Sequence, residues 1–416
     1  MHTFLSLFLS LHLMLFSALV PSALTFSPGL QFTEPVPSTE QDANASDTDP
    51  DGTNLILSSS ITAPGAVLME ASTGTVIFEK DSHTTRHPAS ITKIMTLILI
   101  FEALERGSIH LTDSVPVSEH AADMGGSQVF LEPGETQNVE TMIKCISIAS
   151  ANDACVAMAE FISGSEEAFV VEMNEKAKAL GMNDTTFVNC CGLDVDGHMT
   201  SAYDVALMSR ELSVRHPEIH NYCTIWMDTM THVTARGEQE FGLTNTNKLI
   251  RQYEYATGLK TGSTNLAKYC VSATAEKDGM DLIAVIMGAE NPKERFQDAI
   301  TLLNFGFSKC QIYTDEHSET LQPLLVKKGT SEWLQTEFAN PFQYLSVNGA
   351  DFTTVKKEIS MPETVTAPIK KGMKIGEAVY TLGAEKIGSV DIVAAEDIEE
   401  ADFSDYLKDV FLRYFS

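Results

Sequence analysis

The stretch H-P-A-S-I-T-K-I-M-T-L-I-L-I-F-E-A-L-E-R-G, residues 87–107, decides how the chain is read. Pro88 and Ala89 lead into a run whose length and terminal Gly107 predict a helix beginning at Ser90. Apolar residues fall on every side of that helix, which places it inside a domain core. A membrane span does not fit, because Lys93 at one end and Glu102, Glu105 and Arg106 at the other leave the apolar run too short. Ser90 and Lys93 are three positions apart and so share one helical face. A serine hydroxyl is a poor nucleophile until something takes its proton, and an amine within reach can do so. No other S-x-x-K occurs in the chain. The start of a buried helix adds free N–H groups and a dipole that favours developing negative charge.

On either side of this helix the pattern changes. Upstream, G-A-V-L-M-E, A-S-T-G and T-V-I-F-E from Gly65 read as a strand, a turn and a returning strand. Downstream, a helical stretch from about Glu140 to Gly164 is interrupted by S-A-N at Ser150 to Asn152. S-x-N also occurs at Ser263 and Ser346, and the pattern alone does not choose among the three. Ser150 and Asn152 are preferred because a polar break in an apolar helical run calls for an explanation. K-T-G occurs once, at Lys260, Thr261 and Gly262, near the start of a predicted strand, where a missing side chain lets a ligand approach the backbone. Two more strands follow, joined at Lys277, Asp278 and Gly279. Early helices and late meandering strands predict an α+β fold, an antiparallel sheet covered by helices, rather than a doubly wound one.

Composition narrows the function. The 416 residues, 44% hydrophobic, suffice for a large core and two domains. Asp and Glu number 57 against 28 Lys and Arg, a net charge of −29 that would repel nucleic acid. Phe4 to Val20 is almost wholly apolar and is followed by the small residues Ser22 and Ala23, the layout of a signal peptide over 1–24, although no basic residue precedes Lys80. A retained membrane anchor is the alternative, and either reading puts the body outside the cytoplasm. Residues 25–60, rich in Pro, Ser, Thr and Asp, are expected to be a disordered acidic linker, with order beginning near Ala63. The seven cysteines follow no framework spacing and most read as small buried hydrophobes, with a redox pair at the adjacent Cys190 and Cys191 as the lesser alternative. His216 and His220 are four apart, but no third ligand accompanies them, and no metal or cofactor is expected.

After about Cys310 short alternating segments with turn signals predict a small all-β domain over 309–397. From 398 to 416 Phe403, Tyr406, Leu407, Val410, Phe411 and Tyr414 recur at helical spacing, predicting a C-terminal amphipathic helix for a membrane surface or for docking.

Taken together, S-x-x-K, S-x-N and K-T-G resemble, in order and spacing, the set found in serine β-lactamases and penicillin-binding proteins. The closer resemblance is to the low-molecular-mass D-alanyl-D-alanine carboxypeptidases. It is carried by L-M-E-A-S-T-G-T-V, H-P-A-S-I-T-K-I-M-T, G-S-Q-V-F-L-E-P-G, F-V-N-C-C-G-L-D, N-T-N-K-L-I and G-L-K-T-G-S-T, and runs from about Ala63 to Phe307. It implies a transpeptidase-like catalytic domain over 61–308, peptidoglycan stem peptides ending in D-Ala-D-Ala as substrate, and β-lactams as covalent inhibitors. Ser90 would then form the acyl-enzyme with Lys93 as its base, Ser150 would relay protons, and Asn152 would bind the substrate amide. Lys260 and Thr261 would hold the terminal carboxylate, and the N–H groups of Ser90 and Ser263 would form the oxyanion hole. A lysine acts as a base only when neutral, and burial beside a second cation works toward that form.

Two departures stand out. Asn189-Cys190-Cys191-Gly192 replaces the Asn-Pro-His-Gly common in the family, and Ala267-Lys268 replaces its Ala-Gly before Tyr-Cys. A β-lactamase would need a water-activating E-x-x-L-N between Asn152 and Lys260, and none is present. A penicillin sensor without turnover would carry a damaged motif, and none is damaged. A D,D-endopeptidase would use the same residues.

Overall fold

The computed structural model describes residues 53–347, 349–407 and 411. The expected signal peptide and most of the expected linker lie outside these residues. The linker's end is corrected: Thr53–Ser60 forms a helix. Leu57 and Ile61, four apart, both bury in a hydrophobic core, enough to hold one polar turn after another in place.

Five antiparallel strands form the central sheet: β1 (Gly65–Glu70), β2 (Val76–Lys80), β3 (Ala256–Thr264), β4 (Lys268–Lys277) and β5 (Met280–Ala289). Their order is β2-β1-β5-β4-β3, so the K-T-G strand β3 stands at an edge. β1 is buried along its whole length and β5 nearly so, because both faces of the sheet are covered. Alternation sorts their side chains between two cores. Val67, Met69, Ile283, Val285 and Met287 enter one, with the helices Lys93–Glu105, Asn152–Ser163 and Ala202–Arg210; Ala66, Leu68, Leu282, Ala284 and Ile286 enter the other, under the helix Pro292–Lys309. That last helix is capped by Asn291, whose Oδ1 accepts from the N–H groups of Lys293 and Glu294 at 3.0 Å each. A β-carbon on Gly306 would come within 2.5 Å of Leu282 Cδ1, so glycine lets this helix settle on the sheet.

The helix read from residues 87–107 is present with an altered start. Ala89–Thr92 forms a 3₁₀ turn and the α-helix runs from Lys93 to Glu105, with ten of its side chains buried. The interruption at Ser150 is also present. Val139–Lys144 gives way to a π-helical turn at Cys145–Ala149, Ser150 takes a left-handed conformation (φ 61°), and a new helix spans Asn152–Ser163. Met227–Thr234 and Gly237–Thr244 pair as a hairpin separate from the central sheet.

From Gln311 onward short strands build a separate all-β part, including a four-stranded sheet of Thr336–Phe338, Glu385–Ala394, Lys374–Leu382 and Val355–Ser360. Its centre is Tyr380, stacked on Phe342 at 3.8 Å and donating to Asp315 Oδ2 at 2.8 Å. The ammonium of Lys357 fills the space among Asp315, His317 and Glu319. The start of the terminal helix is corrected: Ile398 is buried and bridges to Ile369, and helical backbone is found at 403–407. Phe403 is 82% exposed and Tyr406 and Leu407 about half, while Val410 and Tyr414 lie outside what is described. Among the described residues no helix is long and apolar enough to cross a membrane.

Candidate active site

The site assembles where the 3₁₀ turn, the break at Ser150 and the edge strand β3 meet. Lys93 is fully buried, and its Nζ donates to three oxygens: Ser90 Oγ at 3.0 Å, Asn152 Oδ1 at 2.6 Å and the Cys191 carbonyl at 2.7 Å. An ammonium has three N–H groups, and all are used here. A neutral amine in the same place would donate two of these bonds and accept the third from the Ser90 hydroxyl.

Lys260 Nζ donates to Ser150 Oγ at 2.9 Å and to the Thr261 carbonyl at 3.1 Å. Burial, with the charge of Lys93 as a second cause, holds its pKa well below the usual lysine range. Thr261 Oγ1 donates to Thr246 Oγ1 at 3.0 Å. Gly262 explains why K-T-G ends in glycine: a β-carbon there would stand 2.9 Å from the Ser90 amide nitrogen and 3.0 Å from that of Ile91. The strand thus lies flush against the turn that carries Ser90. Ser263, next in line, is exposed. All eight residues singled out in the sequence fall on these three elements or, for Lys93 and Asn152, on the first residue of the helix that follows, and Ser90, Lys93 and Asn152 form one hydrogen-bonded cluster, Ser150, Lys260 and Thr261 another. The remaining S-x-N matches fall elsewhere in role: Ser263 belongs to β3 and Ser346 to the β part.

Four supporting residues escaped the sequence reading. Asp153 accepts from the N–H groups of Val129 and Leu131, each at 3.1 Å, fixing the loop whose Gly125 carbonyl accepts from Asn152 Nδ2 at 2.7 Å. Burial pushes this carboxyl above its usual range. His198 accepts from Val188 N–H through Nδ1 at 2.9 Å, which leaves Nε2 to donate to Thr92 Oγ1 at 2.8 Å. Burial first, and then His87, pull His198 down to about 4, so it is neutral. Arg295 donates to the carbonyls of Gly262 (3.2 Å) and Cys270 (3.3 Å) behind β3, and burial lowers its guanidinium to about 10. Thr246 lies in the quoted N-T-N-K-L-I without having been given a part. An acid inside the apolar run D-A-C-V-A-M-A was the one local signal available for Asp153.

The unusual Asn189–Gly192 loop closes the back of the site. Asn189 Oδ1 accepts from the N–H groups of Cys191, Gly192 and Leu193 at 3.2, 2.6 and 3.2 Å, and Thr96 Oγ1 donates to the Cys190 carbonyl at 2.5 Å. All seven cysteines are free and buried. His216 and His220 are not paired for a metal: His216 stacks on Phe101 and His220 Nδ1 contacts the Thr257 carbonyl at 2.8 Å.

The arrangement, a hydroxyl against a buried amine with a second buried amine on an edge strand, is that of a serine acyl-transfer enzyme, and comparison with known proteins agrees. Residues 52–291 match the peptidase S11 family, described as D-alanyl-D-alanine carboxypeptidase, and residues 308–400 match the Penicillin-binding protein 5, C-terminal domain. The chain belongs to this D-alanyl-D-alanine carboxypeptidase family. It is 45% identical to the D-alanyl-D-alanine carboxypeptidase DacF of Bacillus subtilis over 347 residues, 83% of this chain and 88% of the relative. It is 32% identical to DacA of Escherichia coli over 375 residues, 85% and 89% of the two chains. Among solved structures, penicillin binding protein 5 from Haemophilus influenzae superposes with a TM-score of 0.69 at 28% identity, covering 82% of this chain and 98% of the other.

Proposed function

We propose that this chain is a serine-type D-alanyl-D-alanine carboxypeptidase that removes the terminal D-alanine of peptidoglycan stem peptides and is acylated by β-lactams. The observation that carries the reading is the 3.0 Å contact between Ser90 Oγ and the buried Lys93 Nζ, facing a strand that carries a second buried amine.

Ser90 Oγ attacks the carbonyl of the penultimate D-alanine while its proton passes to neutral Lys93. The substrate backbone lies along the edge strand β3, with its terminal carboxylate toward Lys260 and Thr261 and its amide toward Asn152. The N–H groups of Ser90 and Ser263 receive the negative oxygen of the tetrahedral intermediate. Ser150, bonded to Lys260, relays the proton to the departing D-alanine amine. Water then attacks the acyl carbonyl as its proton passes to Lys93, and Lys93 returns a proton to Ser90 Oγ as the ester bond breaks, releasing the shortened peptide and the free hydroxyl. No metal or cofactor takes part.

The proposed organisation keeps 61–308 as the catalytic domain, 309–397 as a small β domain and the terminal segment from 403 as a membrane-facing helix, supported by the exposure of Phe403, Tyr406, Leu407 and Phe411. Export through an N-terminal signal completes it, placing the enzyme at the cell wall or the outer face of the membrane.

The test is intact mass before and after benzylpenicillin. The protein should gain the mass of one penicilloyl group and Ser90→Ala should gain none, while diacetyl-Lys-D-Ala-D-Ala should release D-alanine only with Ser90 present. Labelling of Ser90→Ala would defeat the assignment; labelling without D-alanine release would make the chain a sensor.

A further inference from the structure

Beyond the Ser90–Lys93 cluster lies a cavity of about 430 Å³, between Phe130 and Glu132 of the 124–135 loop and the turn end of the hairpin, from His232 to Phe241. Its two walls are continuations of the active site. The loop is tied to the site by Asn152 N–H, which donates to the Ser127 carbonyl at 2.7 Å, and by the Asp153 bonds to Val129 and Leu131. The hairpin is tied to it just past its second strand, where Thr246 meets Thr261. The floor is rigid: Glu135, with no exposed side-chain surface, accepts from His232 Nδ1 at 2.9 Å and from Gln137 Nε2 at 2.7 Å.

The wall carries an aromatic ring where solvent-exposed apolar surface is costly. Phe130 is 64% exposed, sits at φ 63°, a conformation disfavoured for a bulky residue, and meets Phe241 edge to face at 5.9 Å. An exposed ring held in a strained backbone beside a cavity points to a ligand. The rest of the lining is mostly polar: Thr234, Glu238, the planar Gln239 and Arg236, the last paired with Glu132 at 3.4 Å. A flat apolar face with planar hydrogen-bonding groups around it matches a sugar ring, which offers C–H groups on its face and hydroxyls at its edge. Both hairpin strands already pair with each other over their full length, and the charged rim disfavours a lipid chain.

We propose that this cavity is a glycan subsite, taking an N-acetylated amino sugar of the peptidoglycan strand with its ring face on Phe130 and its hydroxyl and acetamido groups on Arg236, Glu132 and Gln239. The proposal rests on the carboxypeptidase reading and deepens it. An extended stem of four residues spans about 14 Å between the scissile bond and the sugar. Phe130 is three residues from Ser127, which is bonded to Asn152, and Asn152 shares Lys93 with Ser90, so Phe130 stands no farther than about 25 Å from Ser90, within reach of such a stem.

The experiment compares kcat and KM for a disaccharide-pentapeptide and for the same pentapeptide without sugar. The native enzyme should favour the sugar-bearing substrate about fivefold or more, through KM, and the ratio should fall toward one in Phe130→Ala and in the solvent-exposed Arg236→Ala. A native ratio of one, or a ratio kept by both variants, overturns the subsite while leaving the carboxypeptidase intact; no D-alanine from either substrate defeats the underlying reading and the subsite with it. Binding is also read without turnover: chitotriose should shift the Phe130 ring resonances of Ser90→Ala protein saturably, and no shift at millimolar sugar counts against the proposal.

Discussion

Gly192 is pressed against Ala89: a β-carbon on Gly192 would stand 1.9 Å from the Ala89 carbonyl oxygen, and Gly192 itself sits at φ 89°. Ala89 precedes Ser90 and is held at φ 48°, a conformation that costs energy in any residue with a β-carbon. The two positions therefore fix each other. Gly192→Ala is expected to cost about 3 kcal/mol or more and to slow acylation by benzylpenicillin at least tenfold. Gly134→Ala, at φ 81° with open space around it, should cost about 1 kcal/mol and acylate normally. Urea denaturation and stopped-flow acylation of both variants check this, and equal behaviour would remove the contact from the account.

His198 makes the fold acid-sensitive in a defined window. Its folded pKa is about 4 against 6.5 for a free histidine. Between those values the unfolded chain takes a proton that the folded one refuses, so the contribution is complete above pH 6.5 and is lost as pH falls toward 4. The difference amounts to up to about 3 kcal/mol. Denaturant midpoints at pH 7.5, 5.5 and 4.5 should fall steeply in the native protein and less steeply in His198→Gln, which keeps a donor but does not titrate.

Lys260 acts at the opposite end of the pH scale. If its ammonium receives the substrate carboxylate, loss of its proton weakens binding. Because burial and Lys93 lower its pKa, KM for diacetyl-Lys-D-Ala-D-Ala should begin to climb below pH 10.5, by up to tenfold per pH unit. Lys260→Gln should show a high KM without that inflection. A native KM that stays flat to pH 10.5 contradicts the role.

Asp153→Ala leaves the N–H groups of Val129, Leu131 and Ala154 without their acceptor. A loss of about 2–4 kcal/mol is expected. The loop that orients Asn152 through Gly125 should loosen too, so acylation should slow more than in Ser118→Ala, a cap on a short surface helix. Thermal melts and penicillin acylation rates measure both effects.

What could be read before the structure was known was local. The all-round apolar run after Ser90, the break at Ser150 and the turn at Lys277 to Gly279 are patterns within ten or twenty residues, and each appears in the fold. Ser150, preferred among three S-x-N sequences because a polar interruption of a buried helix is itself a physical signal, lies beside Lys260. What escaped was tertiary: His198 meets Thr92 across 106 positions, and Arg295 reaches back 33 to Gly262, separations at which composition and period carry no information. The helix at Thr53–Ser60 was missed because two buried side chains, Leu57 and Ile61, outweigh a surrounding run of serine and threonine. Resemblance to a family supplied the roles; neither spacing nor burial alone would have assigned an oxyanion donor to Ser263.

The position of β3 has a bearing on colloidal behaviour as well. An unpaired outer strand is a template on which a second copy of the chain can add, and long exposed ones seed fibres. Here the turn of Pro88, Ser90 and Ile91 covers one face of that strand, where a β-carbon on Gly262 would meet all three at about 3 Å, and so narrows the approach of another molecule's strand. The turn that bears Ser90 doubles as a guard against self-assembly, and variants that displace it should precipitate more readily as well as react more slowly with benzylpenicillin.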